Sequence, residues 1–330
     1  MRAITYSAYG PAETVLTLAD LPDPRPGPGD VLVALVYSGV NPSDVKRRAG
    51  ARPGETELPY PAICPHSDGA GTIVAVGEGV DRARIGERVW VWNAQFGRPM
   101  GTAAEAIALP SEQAVALPEA VSLETGASLG IPGLTAAHVV FGAGNIEGKT
   151  LLIHGGNGSV GHLAVQLARW GGARVITTAR PEGFDRCRAA GAHAVLDYRS
   201  PTLAQEILEV SGGAKIERIV DVEFGENIAV NTSVIADCGT IAAYGSAKNM
   251  TPQIPFGPLL FAAVTIDFVL IYILKDNERA RAIDLLHRAL VEGVLTCPVA
   301  KIFALGDTAG AHIAVERAER TGAILVNTTS

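Results

Sequence analysis

The stretch that decides the fold is Ile153-His154-Gly155-Gly156-Asn157-Gly158-Ser159-Val160-Gly161-His162. Gly156, Gly158 and Gly161 satisfy the pattern G-x-G-x-x-G, with an apolar strand (150–154) before it and an apolar helix (159–170) beginning inside it. This context predicts a dinucleotide-binding loop. Gly156 would make the tight turn, Gly158 would let the backbone approach a pyrophosphate, and Gly161 would let helix and strand pack closely. The alternative is a glycine-rich turn without a ligand, because a chain with 37 glycines can match the pattern by chance.

Strands and helices alternate on the carboxyl side of this loop. Further strands are predicted at 174–178, 194–197, 218–222 and 240–244, with helices at 183–190, 203–210 and 226–236 between them. Nearly continuous apolar strands between helices are typical of a parallel sheet covered on both faces. The sequence therefore predicts a doubly wound α/β domain.

The first 120 residues have a different character. Short strands at 30–36, 71–77 and 88–92 are separated by Pro- and Gly-rich turns, which predicts a strand-rich, barrel-like domain. Near the other end, residues 259–274 are almost entirely apolar, but Asp267 lies inside them and a membrane span needs about 20 apolar residues. Their β-branched side chains favour a buried strand instead, and helices are predicted to follow at 277–292 and 307–320.

Composition narrows the class of protein. The chain has 330 residues, enough for two domains, with 48% hydrophobic and 18% charged residues, which excludes a disordered or fibrous protein. A net charge of −7 argues against nucleic-acid binding. The four cysteines form no CxxC pair, so neither a disulfide framework nor a zinc knuckle is expected. Without a signal-like amino terminus, we expect a cytoplasmic protein with ordinary thiols.

The choice of nicotinamide nucleotide rests on the end of the second predicted strand. An NAD-binding loop usually places an acidic residue there to bind the ribose 2′-OH. Here the strand ends at Thr178, Ala179 and Arg180, and the third strand ends at Tyr198. Because a guanidinium pairs with a 2′-phosphate, NADPH is favoured. The alternative is that Arg180 is only a solvated loop arginine.

Four segments, in order along the chain, carry a resemblance to a known family. They are Ser38-Gly39-Val40-Asn41-Pro42-Ser43-Asp44, Ser67-Asp68-Gly69-Ala70-Gly71, Gly133-Leu134-Thr135-Ala136 and the stretch from His154 to Gly161. Together they resemble the zeta-crystallin-like quinone oxidoreductases of the medium-chain dehydrogenase/reductase superfamily. The resemblance implies a Rossmann doubly wound parallel sheet plus a GroES-like, strand-rich catalytic domain. The expected domains are residues 1–122 (catalytic), 123–274 (NADP-binding) and 275–330 (return to the catalytic domain).

The resemblance and the loop together imply the site residues. Asn41 is the catalytic candidate, as a donor to the nicotinamide amide or the acceptor carbonyl, although it could simply cap its loop. Thr135 is expected beside the nicotinamide, or else as a helix-terminus hydroxyl. The remaining cofactor-binding candidates are Gly156, Asn157, Gly158, Ser159, Val160, Gly161, Thr178, Arg180, Tyr198, Tyr244, Gly245, Ser246, Ala247, Phe268, Val269 and Leu270.

Departures from related families shape the expected chemistry. Asn41 and Ser67 stand where zinc alcohol dehydrogenases carry Cys and His, and His66 is one residue out of register, so no catalytic zinc is expected. The expected function is NADPH-dependent reduction of quinones or related α,β-unsaturated carbonyls. The alternative is an NADPH-binding protein with a structural or regulatory role. Lys46 and Arg52 replace tyrosines common in the family's substrate loop, which leaves the acceptor open.

The resemblance also implies a homodimer. Residues 264–273 are expected to form an edge strand that pairs with a second copy, with Ile266, Phe268, Leu270 and Tyr272 on one face. Neither nucleic acid nor a membrane is an expected partner.

Overall fold

The computed structural model describes residues 1–51, 54, 56–317 and 321–330. The chain divides into two compact units, of which the first contains residues 1–131 and 297–330 and the second contains residues 132–296. The second unit is therefore inserted into the chain of the first.

The strands of the described residues, in chain order, are β1 (Arg2–Thr5), β2 (Thr17–Asp20), β3 (Asp30–Val40), β4 (Asp68–Val76), β5 (Arg88–Val91), β6 (Ala106–Pro110), β7 (Ala114–Ala116), β8 (Thr150–His154), β9 (Arg174–Ala179), β10 (Ala194–Asp197), β11 (Ile216–Asp221), β12 (Ile235–Ala243), β13 (Thr265–Phe268), β14 (Val299–Ala304) and β15 (Ala323–Asn327). The α-helices are α1 (Ala12–Val15), α2 (Pro42–Arg48), α3 (Leu123–Gly126), α4 (Ile131–Phe141), α5 (Ser159–Trp170), α6 (Phe184–Ala189), α7 (Leu203–Val210), α8 (Phe224–Val234), α9 (Phe256–Phe261), α10 (Asp276–Val291) and α11 (Thr308–Glu316).

The first unit is strand-rich, as predicted. Its main sheet has the order β14-β15-β3-β4-β5-β7, and β6 also pairs with β3. All pairs except the parallel β14-β15 pair are antiparallel. Alternating side chains of β3, among them Val31, Val33 and Leu35, are buried in the unit's core. This alternation is what a sheet with one face on a core requires.

The second unit confirms the predicted doubly wound sheet. Its six strands have the order β10-β9-β8-β11-β12-β13, and every neighbouring pair is parallel. Leu152, Ile176, Ile219 and Ile241, from the central strands, are fully buried in one core. In the middle strands nearly every residue is buried, because helices cover both faces of a parallel sheet.

The prediction of a long strand within residues 259–274 is wrong. Only Thr265–Phe268 form a strand, after the short helix α9 and before a 3₁₀ turn at Ile271–Ile273. The pairing stops because β12 ends at Ala243, opposite Phe268, and the last bond runs from the Val269 N–H to the Ala243 carbonyl at 2.8 Å. The predicted alternation of faces through Tyr272 therefore fails, although β13 does lie at the sheet edge.

The carboxyl-terminal part of the second unit is anchored on α5. The Trp170 indole donates to the Glu292 carboxylate at 2.7 Å, and the Thr296 N–H donates to the Gln166 side chain at 2.9 Å. These bonds place α10 with the inserted unit, so the first unit resumes at residue 297, whereas the sequence predicted its return at 275. Of the helix predicted at 307–320, Thr308–Glu316 are helical and 318–320 lie outside the described residues.

Among the described residues, no helix combines the length and the apolar character that crossing a bilayer requires.

Candidate cofactor-binding site

Each of the three glycines of the G-x-G-x-x-G pattern is required for a different structural reason. A Cβ on Gly161 would lie 2.2 Å from the Gly155 carbonyl oxygen, so only glycine lets α5 pack this closely, as predicted. A Cβ on Gly156 would lie 2.1 Å from Thr177 Oγ1. The tight turn predicted at Gly156 is present, because the Gly158 N–H donates to the Gly155 carbonyl at 2.9 Å across it. The left-handed residue of this turn is Gly155, whose φ is +74°. Gly158 is exposed, and a Cβ there would meet the Gly155 carbonyl oxygen at 3.3 Å, a tight contact but a much milder one than those at Gly156 and Gly161.

The loop presents the amino end of α5. Gly158 is the residue before the helix, and Ser159 and Val160, both half-buried, form its first turn. The first N–H groups of a helix lack intrahelical acceptors and carry partial positive charge, so this end attracts anions. Asn157 adds a buried side-chain oxygen, Oδ1, that accepts no hydrogen bond from any described residue. A bound ligand with a hydroxyl or amide donor would satisfy it.

Thr178 anchors the loop. The Thr178 carbonyl accepts from the Gly156 N–H at 3.0 Å, and its Oγ1 accepts from the Gly155 N–H at 3.2 Å. The side chain is 1% exposed, so it holds the backbone of the loop in place and offers almost no surface to a ligand.

Arg180 and Tyr198 are brought together. They follow β9 and β10, which are neighbours in the sheet, and the Arg180 Nε donates to the Tyr198 hydroxyl at 3.0 Å. This hydrogen bond is the main cause that raises the pKa of the Arg180 guanidinium, which is therefore positively charged at any ordinary pH. Arg180 is exposed and Tyr198 is 37% exposed, so both are available to a ligand.

The structure contains a buried chain of hydrogen-bonded polar side chains under the loop, which the sequence patterns did not predict. Asp221 accepts from the Asn231 amide at 2.6 Å, and Asn231 Oδ1 lies 2.9 Å from His154 Nε2. Because Asn231 must accept with its oxygen, His154 carries its proton on Nε2 and Nδ1 accepts from Thr178 Oγ1 at 3.2 Å. The chain joins β8, β9 and β11 at the loop. His154 adjoins the glycine motif, but its partners Asp221 and Asn231 lie 67 and 77 positions further along the chain, so no local sequence pattern links them to it.

The segment 244–247 follows β12 on the same side of the sheet. A Cβ on Gly245 would lie 2.4 Å from the Val222 carbonyl, and Ser246 Oγ accepts from the Gly225 N–H at 2.8 Å. Burial, reinforced by Asp221, raises the pKa of Tyr244, so its phenol keeps its proton. Ala247 is exposed.

The candidates after β13 differ in exposure. Phe268 packs edge-on against Phe224, with ring centroids 5.3 Å apart, yet remains 66% exposed. Val269 is half-buried and Leu270 is 52% exposed. Like Arg180, Tyr198 and the loop itself, they follow carboxyl ends of parallel strands, where ligands bind in open α/β sheets. Thr135 is the fifth residue of α4 rather than at its start, and it is 5% exposed, so the helix-terminus alternative is wrong. Its contact with the nicotinamide stays a prediction.

Asn41 is held firmly in the first unit. It precedes α2, the Asp44 carboxylate accepts its backbone N–H at 2.8 Å, and its own Nδ2 donates to Asp68 Oδ2 at 2.7 Å. Asp68 is fully buried, which raises the pKa of its carboxyl well above the ordinary range, and it also accepts from the Ile131 N–H at 2.9 Å. Asn41 thus occupies the position before α2 with its amide on Asp68, and that amide has one further N–H; the predicted contact with nicotinamide or acceptor stays a prediction.

The positions considered for zinc have other partners. His66 Nδ1 lies 2.8 Å from Ser38 Oγ, and its Nε2 lies 2.9 Å from His312 Nε2. Within the described part of the chain, no group of three or more His, Cys, Asp or Glu side chains could hold a metal ion. Of the two residues that stand for family tyrosines, Lys46 is exposed on α2, and Arg52 lies outside the described residues.

Comparison with known proteins agrees with this architecture. The model of the alcohol dehydrogenase GroES-like domain matches residues 27–119, and the model named zinc-binding dehydrogenase matches residues 159–288. Together with the fold, these matches define the medium-chain dehydrogenase/reductase class. Mouse quinone oxidoreductase is 32% identical over 250 residues, which cover 74% of this chain and 73% of the relative. The chain belongs to the quinone oxidoreductase family.

Other relatives extend the comparison. The human synaptic vesicle membrane protein VAT-1 homolog is 30% identical over 254 residues, and the match spans 76% of this chain but only 62% of that protein. Among solved structures, an NAD-dependent alcohol dehydrogenase has a TM-score of 0.88 at 27% identity and covers 99% of both chains. Escherichia coli quinone oxidoreductase in complex with NADPH has a TM-score of 0.85 at 25% identity and covers 99% of this chain and 100% of that one.

Proposed function

We propose that this protein is an NADPH-dependent reductase of quinones or related α,β-unsaturated carbonyls that works without zinc. The observation that carries the proposal is the Arg180–Tyr198 pair beside the amino end of α5. A helix terminus binds a pyrophosphate, and a guanidinium binds the 2′-phosphate that distinguishes NADPH from NADH. The NADPH complex of the Escherichia coli relative supports the same cofactor.

The residues of the second unit fit this cofactor. Gly158 exposes its backbone at the helix end, and the unpartnered Oδ1 of Asn157 is an acceptor for a ligand hydroxyl. Thr178 fixes the loop, and the segments 244–247 and 268–270 follow the carboxyl ends of β12 and β13. When bound, NADPH supplies the hydride, and these residues bind and orient it.

A reaction without zinc is supported by the partners of the residues involved. The Asn41 amide is bonded to Asp68, and both ring nitrogens of His66 are within hydrogen-bond distance of Ser38 and His312. A catalytic zinc site needs three protein ligands, usually Cys, His, Asp or Glu; Asn41 is none of these, and both nitrogens of His66 already have partners. Quinones and enones spread the incoming electrons over their own π-systems, so orientation supplies much of the catalysis. We assign the second Asn41 N–H to the nicotinamide amide or the acceptor carbonyl.

We also propose a homodimer. Six large apolar side chains in α9, β13 and the turn after it are more than half exposed, and we call them the apolar edge surface. They are Phe256, Leu260, Phe261, Phe268, Leu270 and Ile273. An apolar sheet edge of this kind invites pairing with another chain.

The alternative is an NADPH-binding protein with little turnover, since a fold does not guarantee an activity. The two are separated by following NADPH oxidation with a panel of quinones and enones, before and after treatment with a chelator. The proposal expects turnover of at least one acceptor, unchanged after chelation. Tight NADPH binding without turnover on any acceptor would favour the alternative. Loss of activity on chelation, restored by zinc, would contradict the metal-free reaction.

A further inference from the structure

A bulge interrupts β12 at the end of the sheet opposite the glycine loop. Ile216 pairs with Ile235, and Arg218 pairs with Thr240. An advance of two residues along β11 therefore corresponds to an advance of five residues along β12, so β12 contains three extra residues. Within the extra residues, Cys238 has a φ of +56°, a left-handed conformation that a residue with a Cβ rarely adopts. Its N–H donates to the Ala262 carbonyl at 2.7 Å, which holds the bulge open. Bulges and strained residues of this kind occur preferentially at functional sites.

The bulge borders a cavity of about 270 Å³. Its walls come from the loop after α4, from the amino ends of β8 and β11 and from the bulge itself, and they include Ala143, Ile146, Lys149, Arg218 and Cys238. A cavity of about 150 Å³ holds a benzene ring, so this one takes a ligand of about ten non-hydrogen atoms. β8 separates it from the glycine loop by about 16 Å, because five strand residues each rise about 3.3 Å. It is therefore distinct from the cofactor site.

Arg218 is the unusual group in the wall. The residue is 4% exposed, its Nε donates to the Val139 carbonyl at 2.6 Å, and its Nη2 has no hydrogen-bond partner among the described residues. Asp267 acts on it electrostatically, but that carboxylate lies 3.9 Å from His138, and no ion pair joins it to Arg218 within the described chain. A buried guanidinium without an ion-pair partner or a full set of acceptors is costly. A ligand anion would supply both the charge and the acceptors.

The other charged groups of the wall restrict what that anion can be. Lys149 adds a second positive charge, while Glu217 and Asp237 add two negative ones. One oxygen of Glu217 already accepts from the Thr150 N–H at 2.7 Å. With two carboxylates in the wall, a multiply charged anion is repelled more strongly than a single carboxylate. Ala143 and Ile146 provide apolar surface for the rest of such a ligand.

We propose that this cavity is a second ligand site, which binds a small organic monocarboxylate through the Arg218 guanidinium beside the Cys238 thiol. The ligand's carboxylate accepts from the unpartnered N–H groups of Arg218, and its apolar body lies against the loop after α4. Cys238, the exposed one of the four thiols, reports occupancy, because a ligand in the cavity shields it from alkylation.

Benzoate is a suitable probe, and benzamide is its uncharged counterpart of equal size. We expect calorimetry on the full chain to show one benzoate per chain, bound at least tenfold more tightly than benzamide and not displaced by NADPH. Benzoate should also slow the alkylation of Cys238, measured at the peptide level by mass spectrometry. Absent or non-saturable binding, equal binding of benzamide, or displacement by NADPH would overturn the proposal. Inorganic phosphate binding more tightly than benzoate would overturn the choice of a monocarboxylate.

Variants test the role of Arg218. Arg218→Met should weaken benzoate binding at least tenfold. Arg174→Met is the matched control, because Arg174 lies at the same end of the sheet, is exposed and, among the described residues, donates only to the Val210 carbonyl. Equal affinity in Arg218→Met and the unmodified protein would contradict the assignment. If Arg218→Met does not fold, the exposed Asp237→Asn decides the matter. Removing its charge should tighten benzoate binding severalfold, and an unchanged affinity would refute the site.

Discussion

Arg180 and Tyr198, eighteen positions apart, meet through a hydrogen bond of 3.0 Å between Nε and the phenol oxygen. The bond uses one of the five guanidinium donors and leaves the terminal nitrogens for a ligand. It also limits the freedom of a long, exposed side chain. Part of the entropy cost of holding a phosphate is therefore met before the cofactor binds.

This arrangement predicts the effect of Arg180→Ala on cofactor choice. A charge-assisted hydrogen bond contributes about 1.5–3 kcal/mol, so the KM for NADPH should rise by about ten- to a hundredfold. The KM for NADH should change less than about twofold on the same reasoning, since NADH has no 2′-phosphate. Arg188→Ala, which removes an exposed arginine paired with Asp185 on α6, should leave both values unchanged. Steady-state kinetics with both cofactors check this, and an equal rise for both would contradict it.

The glycines of the loop predict a pair of opposite outcomes. Gly161→Ala places a Cβ 2.2 Å from the Gly155 carbonyl, so it should destabilise the protein by about 2 kcal/mol or more. Gly158→Ala has an ordinary φ of −75° and meets the Gly155 carbonyl oxygen at 3.3 Å, a contact that a shift of the loop by a few tenths of an ångström relieves, so the loss should be smaller, about 1 kcal/mol. It should mainly weaken NADPH binding, because its methyl group lies at the exposed amino end of the helix. Denaturant unfolding and a cofactor titration separate the two effects, and equal stability losses would contradict the geometry.

Two buried histidines predict sensitivity to acid. His66 and His312 are both fully buried and stack with ring centroids 5.1 Å apart. Burial lowers the pKa of His66 to about 3, and burial, helped by His66 and Arg48, lowers the pKa of His312 well below its ordinary value. The unfolded chain takes up these protons near pH 6.5, whereas the folded chain does not. Stability should therefore fall as the pH drops below about 6.5, by about 1.4 kcal/mol per pH unit for each ring.

Substitution of one ring measures this contribution. The raised pKa of Asp68 acts in the opposite sense, so the total slope alone is not decisive. His312→Gln should reduce the loss of unfolding free energy between pH 7 and pH 5, and His287→Gln, at a half-buried position of α10, should reduce it much less. Urea titrations at the two pH values give these differences. A His312→Gln protein with the acid sensitivity of the parent would show that the pair is not responsible.

The apolar edge surface predicts the oligomeric state. Phe261 is 91% exposed, and five further apolar side chains of that surface are more than half exposed. Light scattering at micromolar concentration should give twice the chain mass, and Phe261→Lys or Leu270→Lys should give the monomer, because a buried unpaired charge opposes association. Val291→Lys is the control, since Val291 is 67% exposed but lies on α10, outside that surface. A monomeric parent protein would refute the dimer.

Sequence patterns correctly predict the helices and strands in which the spacing of apolar residues matches the spacing of buried positions. The helix α5 and the strand β10 have the predicted limits, because apolar periodicity and flanking glycines or turns define them locally. The segment around Leu270 was mispredicted because its composition favours a strand, whereas its pairing depends on where β12 ends. Composition carries no information about the length of a neighbouring strand.

The site was predictable to the same extent. The glycine loop, Arg180 and Tyr198 each follow directly from the end of a strand, and the structure joins Arg180 to Tyr198 by a hydrogen bond. The His154–Asn231–Asp221 chain and the His66–His312 pair join residues 77 and 246 positions apart, so only the fold reveals them. The left-handed Cys238 shows no signature either, since glycine or asparagine is the usual choice there.

The insertion of residues 132–296 into the first unit dictates an order of events during synthesis. Residues 37–40 of β3 pair with β15, from Asn327 opposite Tyr37 to Ile324 opposite Val40. A ribosome delivers the entire inserted unit before it makes that partner. The nascent chain thus carries the complete parallel sheet of the inserted unit while the edge of β3 at residues 37–40, whose residues 37–39 pair with β4 on the other side, still lacks β15. During synthesis this short unpaired edge could pair with another chain, and a ribosome-associated chaperone would have to cover it.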